Sequence, residues 1–353
     1  MESIIVRTDP SYEAVTGAGL LSEAGPRTAA VTAGSRVLIA SDDRVAPLYL
    51  ETVSESFRQA GFRTASFVFP AGEGSKNLQT VEEMLNAADQ AELTRNDVFA
   101  ALGGGVTGDL TGLAAALYQR GTDFIQLPTT LLAMVDASVG GKTAVNLRNG
   151  KNLCGAFHQP RLVLCDTDTL DTLPEPVFAE GMAEVIKHGA LSGGEMLNRL
   201  EAGENPKNLI ADNIRFKAEI VRQDERENGL RQLLNFGHTF GHALEKLNQY
   251  GIYHGEGVAV GMLIAARAAE EKGICTPGVF GELRELLAAQ DLPVATAFSA
   301  AQVARAAMND KKRRGDTITL VLPEARGRCA LVKTAVNDLE DMIRCCDGEV
   351  TGR

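Results

Sequence analysis

The chain is 353 residues long, more than one hydrophobic core usually serves, so two domains of roughly 150–200 residues are expected. Apolar residues make up 44% and charged residues 23%, a globular balance that excludes disordered and collagen-like classes. A formal charge of −11 excludes a surface built to grip nucleic acid or anionic lipid, so any bound anion must be met by a local basic cluster.

The longest apolar runs, near 110–117 and 258–266, fall well short of the ~20 residues that span a bilayer, and no membrane partner is expected. The opening MESIIVRTDPSYE has no basic stretch followed by an apolar run, so the expected location is cytoplasmic. Six cysteines (Cys154, Cys165, Cys275, Cys329, Cys345, Cys346) include no C-x-x-C pair, which fits reduced thiols better than disulfides or a thiolate zinc site.

In chain order, VLIAS (37–41), TASFVFP (64–70), DVFAALGGG (97–105), DFIQLP (123–128) and RLVLCD (161–166) read as buried strands. Amphipathic helix-length segments at 47–60 and 78–91 lie between them, which predicts parallel strands with crossover helices. After about Leu173 the pattern turns helical, over 177–191, 208–226, 230–247, 256–272 and 279–289. A late hairpin is expected from ITLVLP (318–323) and CALVK (329–333), then a last helix over 336–345. The boundary is expected near 166–176, with no long flexible linker.

GGGVTGD (103–109) contains G-x-G-x-x-G after a predicted strand and at the start of a helical run. Loop glycines allow close backbone approach, and the helix start offers N–H groups to a pyrophosphate. The loop follows an inner strand, so a dinucleotide site and a tight structural turn both remain open. VDASVGGKT (135–143) misses the Walker A spacing because Asp136 stands where glycine is needed, leaving a glycine bend that presents Lys142 near a carboxylate.

Three of the five histidines, His238, His242 and His254, lie close together in sequence. His238 and His242, four apart, share one helix face and both imidazoles can approach one ion. Thr239 replaces the glutamate of H-E-x-x-H, which removes support for peptide hydrolysis. A third ligand is open among His254, Glu256 and Glu184, the last one helical turn from Lys187; histidines packed in a helical core are the alternative. Lys142, Lys151, Lys187, Lys217, Arg231, Lys311 and Lys312 sit beside Gly, Asn or His motifs, and together they would form a positive pocket for a multiply anionic small molecule.

With these motifs in view, the chain resembles the 3-dehydroquinate synthases of the sugar phosphate cyclase superfamily. The resemblance runs from about 37 to 322, through AGEGSK, ALGGGVTGDLTG, YQRG, QLPTTLLAMVDASVGGKTAVN, GKNLCGAFHQP, GMAEVIKHG, LRQLLNFGHTFGHALE, HGEGVAVGM and NDKK. It implies an α/β fold: a Rossmann-like NAD-binding domain over 1–172, then a mainly helical metal- and substrate-binding domain over 173–353, with the active site between them. By motif position, Asp42, Glu73, Gly74, Ser75, Lys76, Gly104, Gly105, Val106, Thr107, Gly108, Asp109, Thr129, Thr130, Leu132, Lys142, Lys151, Thr169, Leu170, Thr172 and Leu173 would bind NAD. Glu184, His238 and His254 would hold one divalent cation, zinc or cobalt, which leaves His242 a catalytic or substrate-contacting role. Asp136, Lys142, Asn152, Lys187, Lys217, Arg231, Asn235, His242 and a lysine of the Lys311/Lys312 pair would be substrate and catalytic positions, with Arg120 reaching into the neighbouring subunit of a homodimer. Lys217 and Arg231 suit a substrate carboxylate; Lys142, Asn152, Asn235, Arg120 and the late lysine suit its phosphate.

The implied reaction is a carbon–oxygen lyase step of the shikimate pathway to chorismate and the aromatic amino acids. It turns 3-deoxy-D-arabino-heptulosonate 7-phosphate into 3-dehydroquinate and phosphate by NAD-mediated transient oxidation, phosphate elimination, re-reduction and intramolecular aldol closure. The alternatives are another sugar phosphate cyclase and a metal-dependent oxidoreductase of glycerol dehydrogenase type. His188 and His158 stand where the family often has tyrosine, GEG replaces G-E-A, and the segment 193–213 is shorter than in many relatives.

Overall fold

The computed structural model describes residues 1–148, 150–308, 313–314 and 316–352. Their contacts divide the chain into two compact units: Met1–Leu173 with Asn213–Arg226, and Pro174–Asp212 with Glu227–Arg353. Asn213–Arg226 thus groups with the first unit and not with the sequence around it.

The first unit is built on a seven-stranded sheet. Its strands are β1 (Glu2–Val6), β2 (Tyr12–Gly17), β3 (Arg36–Asp42), β4 (Arg63–Phe69), β5 (Val98–Gly103), β6 (Asp123–Pro128) and β9 (Leu162–Asp166), in the order β1-β2-β9-β6-β5-β3-β4. Only β1 runs antiparallel to its neighbour; the other pairs are parallel. Helices α1 (Ala24–Ala29), α2 (Ala46–Gln59), α3 (Leu78–Gln90) and α4 (Gly105–Leu117) belong to this unit, and α2 to α4 are the crossovers.

Both sheet faces are covered, which is why the inner strands are apolar without alternation. Val37, Ile39, Ala100 and Leu102 pack with Val53 and Phe57 of α2. Leu38, Ala40 and Phe99 pack on the other face with Val81 and Met84 of α3 and Leu110 of α4. Each fully buried side chain of this size contributes about 1.5–3 kcal/mol.

Five strands lie within a residue or two of the apolar runs that predict them. The hairpin of β7 (Lys142–Leu147) and β8 (Gly150–Phe157), which begins at the end of the glycine bend expected over 135–143, is an addition. Exposed Asn152, Leu153, Gly155 and Phe157 give β8 no buried apolar run to read. Edge strand β1 is half exposed for the same reason.

The second unit is mainly helical: α5 (Glu175–Leu191), α6 (Glu195–Glu201), α8 (His238–Leu247), α9 (His254–Glu271), α10 (Val279–Ala288), α11 (Ala300–Ala307) and α12 (Leu339–Ile343). β10 (Arg313–Arg314), β11 (Thr317–Ala325) and β12 (Arg328–Ala335) form an antiparallel sheet that contains the expected late hairpin. α7 (Ile210–Gln223) starts after a 3₁₀ turn over Pro206–Leu209. The helix expected over 230–247 is two pieces, because Gly237 takes a left-handed φ of 78° between the 3₁₀ turn Leu230–Asn235 and α8.

α9 is buried on nearly every side, including Val258, Val260, Met262, Leu263 and Ile264, which makes it the axis of this unit. α8 lies directly against it. A Cβ on Gly261 would stand 2.0 Å from the Gly237 carbonyl oxygen, so the two backbones touch where any other residue would hold them apart. Among the described residues no helix is long and apolar enough to cross a membrane.

Candidate active site

In the first unit the proposed nucleotide residues gather at the carboxyl ends of the parallel strands, where open α/β sheets bind ligands. Asp42 ends β3; Glu73, Gly74, Ser75 and Lys76 follow β4; Gly104 to Asp109 follow β5; Thr129, Thr130 and Leu132 follow β6; Thr169, Leu170, Thr172 and Leu173 follow β9. Gly104 is the N-cap of α4, and no side chain caps the amides there. Such an end presents N–H groups and the positive pole of the helix to an anion. Thr129 Oγ1 is buried with no hydrogen-bond partner among the described residues, while Thr129 N donates to Gly103 O at 3.0 Å. An open helix start and an orphaned buried hydroxyl are what a polar cofactor such as NAD would satisfy.

A side-chain network flanks this loop. Lys76, 6% exposed, lies 2.6 Å from Asp109 Oδ2 and donates to Asn152 Oδ1 at 2.6 Å. Burial pushes the Asp109 carboxyl above its ordinary range, and the Lys76 charge opposes that shift. Asn146, not singled out from sequence, donates from Nδ2 to Glu73 Oε1 at 2.8 Å and accepts from Asn152 N at 2.9 Å. Asn152 is thereby held at a left-handed φ of 55°. Lys151 Nζ stands 4.0 Å from Glu73 Oε1. Lys217 of α7 bonds both the carboxylate and the backbone carbonyl of Asp136, which sits on a wide turn over Ala133–Ala137. Lys142, at the start of β7, is exposed. Arg120 is exposed at a left-handed φ of 65°.

In the second unit, Glu184 of α5, His238 at the start of α8 and His254 at the start of α9 converge, each offering a ligand atom within 4.8 Å of the others. Nε2 of His238 and Nε2 of His254 stand 3.7 and 3.8 Å from Glu184 Oε1. Two metal bonds of about 2.0–2.1 Å span up to roughly 4 Å, so one cation fits this spacing. Glu184 is fully buried and neither carboxylate oxygen has a geometrically sound hydrogen bond, although Lys187 Nζ makes a close ion pair with Oε2. A buried carboxylate in this state calls for more positive charge, which a divalent cation supplies.

The ring orientations agree with that reading. A backbone carbonyl only accepts, so the contact of His238 Nδ1 with Phe236 O at 3.1 Å puts the proton on Nδ1 and the unprotonated nitrogen at Nε2. Burial disfavours the His254 imidazolium, but the Glu245 hydrogen bond and the charges of Glu245, Glu184 and Glu180 outweigh it and raise its pKa. Glu256, an open third ligand from sequence, instead accepts from Tyr253 N at 2.8 Å in a capping box. His242 is half-buried, with its ring 5.4 Å from that of His238 and 5.9 Å from that of His254.

Arg231 and Lys187 are each 1% exposed, burial that a charged side chain tolerates only with partners. Asn235 donates to Glu227 Oε1 at 2.8 Å. His188 is fully buried on α5. His158, in the first unit, stacks on Phe124 at 5.3 Å and its Nε2 lies 2.9 Å from Thr122 O, a structural role. Lys311 and Lys312 lie outside the described residues.

Two solved structures similar to this chain hold NAD+ together with a divalent cation. 2-Deoxy-scyllo-inosose synthase, complexed with carbaglucose-6-phosphate, NAD+ and Co2+, superposes with a TM-score of 0.86 at 27% identity over 97% of this chain and 99% of its own. The 2-epi-5-epi-valiolone synthase of Streptomyces hygroscopicus subsp. jinggangensis 5008, with NAD+ and Zn2+ bound, gives 0.85 at 29% identity over 94% and 95%. The fold is that of the sugar phosphate cyclases.

Sequence narrows the class. Residues 66–180 match the family model for the 3-dehydroquinate synthase N-terminal region and residues 181–313 the C-terminal one. A 3-dehydroquinate synthase of Laribacter hongkongensis (strain HLHK9) is 44% identical over 335 residues, 92% of each chain. The chain belongs to the 3-dehydroquinate synthase family and is an enzyme with that family's activity.

Proposed function

We propose that the chain converts 3-deoxy-D-arabino-heptulosonate 7-phosphate into 3-dehydroquinate and phosphate, with NAD and one zinc or cobalt ion, as a cytoplasmic homodimer. The observation that carries the reading is the convergence of Glu184, His238 and His254 in a chain whose other unit has an open glycine loop at its strand ends. When bound, NAD supplies a reversible hydride acceptor and the cation a Lewis acid for the substrate hydroxyl.

The protein's own groups do the rest. Glu184, His238 and His254 hold the cation, and the α4 amides with Lys76, Asp109 and Thr129 hold the dinucleotide. Lys217 and Arg231 take the substrate carboxylate, where an arginine offers two parallel hydrogen bonds. Lys142, Asn152, Asn235, Arg120 of a neighbouring subunit and a lysine of the 311–312 pair meet the phosphate, so its departing charge is already paired. His242, half-buried with its ring beside those of His238 and His254, moves a proton at its ring nitrogen in this reading. All six cysteines stand as thiols, which suits a reducing compartment.

Phosphate release is the test. Supplied with the heptulosonate phosphate and sub-stoichiometric NAD, the enzyme should liberate one phosphate per 3-dehydroquinate with no net NADH. Conversion of the supplied NAD to NADH, with turnover then stopping and no phosphate released, would instead be the behaviour of a dehydrogenase. Phosphate release from a non-carboxylated sugar phosphate alone would point to a different cyclase.

A further inference from the structure

A metal-binding imidazole must be held by its second nitrogen, or its ring turns away from the ion. His238 is held by the backbone, through Phe236 O. His254 is held by a side chain: its Nδ1 lies 2.7 Å from Glu245 Oε1, the Glu245 side chain is 1% exposed, and His254 N donates to Glu180 Oε1 at 3.0 Å. Glu245 stands on α8 three residues after His242 and seven after His238, so one helix face carries all three.

Resting on the assignment of Glu184, His238 and His254 as ligands, we propose that Glu245 is the positioning residue of the cation site. Its carboxylate keeps the His254 proton on Nδ1 and turns Nε2 toward Glu184, acting through His254 without touching the ion. The same geometry admits a rival, because His242, Glu245 and His254 also offer ligand atoms within 4.8 Å of one another. In that arrangement Glu245 would itself be a ligand, and the test below distinguishes the two.

Co2+ affinity of the full chain, measured by chelator competition, and the visible absorption of the bound ion are the readouts, with thermal melts to check folding. Glu245→Ala should weaken binding about 10- to 100-fold, as losses of such outer partners do, with the absorption spectrum of the bound ion unchanged in form. Glu245→Gln, whose amide oxygen still accepts from Nδ1–H, should lose less, roughly 3- to 10-fold, and it decides the question if the alanine variant does not fold. Affinity within about twofold of the parent in both variants would overturn the proposal and leave the ligand assignment standing. Undiminished binding in Glu184→Ala, with loss in His242→Ala and both Glu245 variants, would overturn the assignment and make Glu245 a ligand.

Discussion

The two units build their proposed sites from different materials. In the first, the glycine loop offers backbone amides at the ends of parallel strands, and the side chains around it, Lys76, Asp109, Asn152 and Asn146, are tied to one another. In the second, the site consists of side chains from three helices, aligned by backbones that touch at Gly261 and Gly237. A backbone site survives many side-chain changes; a site of converging side chains fails with one ligand or one added Cβ. Substitutions can break that contrast or sharpen it.

The largest effects should come from the proposed ligands. Glu184→Ala, His238→Ala and His254→Ala should each empty the site, seen by metal analysis, and cost about a thousandfold or more in turnover. His242→Ala should keep the cation and lose about 10²-fold in rate, as removal of a proton-transfer group does. Next, Gly261→Ala forces a Cβ against the Gly237 carbonyl; it should cost about 1–3 kcal/mol in denaturant unfolding and weaken cation binding without touching a ligand. In the first unit, Lys76→Met should weaken NAD binding severalfold by calorimetry and leave cation content unchanged, because it cuts the ties to Asp109 and Asn152 but spares the α4 amides.

The smallest functional effect is expected at Asp97, which accepts from Ser35 N, Arg36 N and both Thr94 N and Oγ1 at 2.7–2.9 Å. Burial pushes its carboxyl up, but the hydrogen bonds from Thr94, Ser35 and Arg36 outweigh burial and hold it below its ordinary 3.8. The folded value is the lower one, so this stabilisation is complete above about pH 4 and is lost as pH falls through the folded pKa. Asp97→Ala should cost about 1.5–3 kcal/mol at pH 7, less at pH 3, and leave cation affinity unchanged.

What could be read from the sequence follows the same divide. Strands β3, β5, β6 and β9 are legible because both sheet faces are buried, whereas edge strand β4, largely exposed or half-buried, is legible from its β-branched and aromatic residues. The β7–β8 hairpin is not, since Gly150, Gly155 and exposed Asn152 give no period, and Asn146 is hidden with it. Spacing puts His238 and His242 on one helix face, yet the nitrogens 3.7–3.8 Å from Glu184 Oε1 belong to His238 and His254. That geometry depends on how α5, α8 and α9 pack, through contacts between residues tens of positions apart, and no local pattern contains it. Glu245 was nearer to hand: it shares the 3–4 spacing of the two histidines before it.

Crystals of the full chain loaded with Co2+ test the central claim most directly, through the anomalous signal of the ion. One peak per chain is expected, about 2.0–2.2 Å from a Glu184 oxygen and from Nε2 of both His238 and His254, with His242 outside bonding distance. A peak bonded to His242 and Glu245, with Glu184 still paired only to Lys187, would contradict the account.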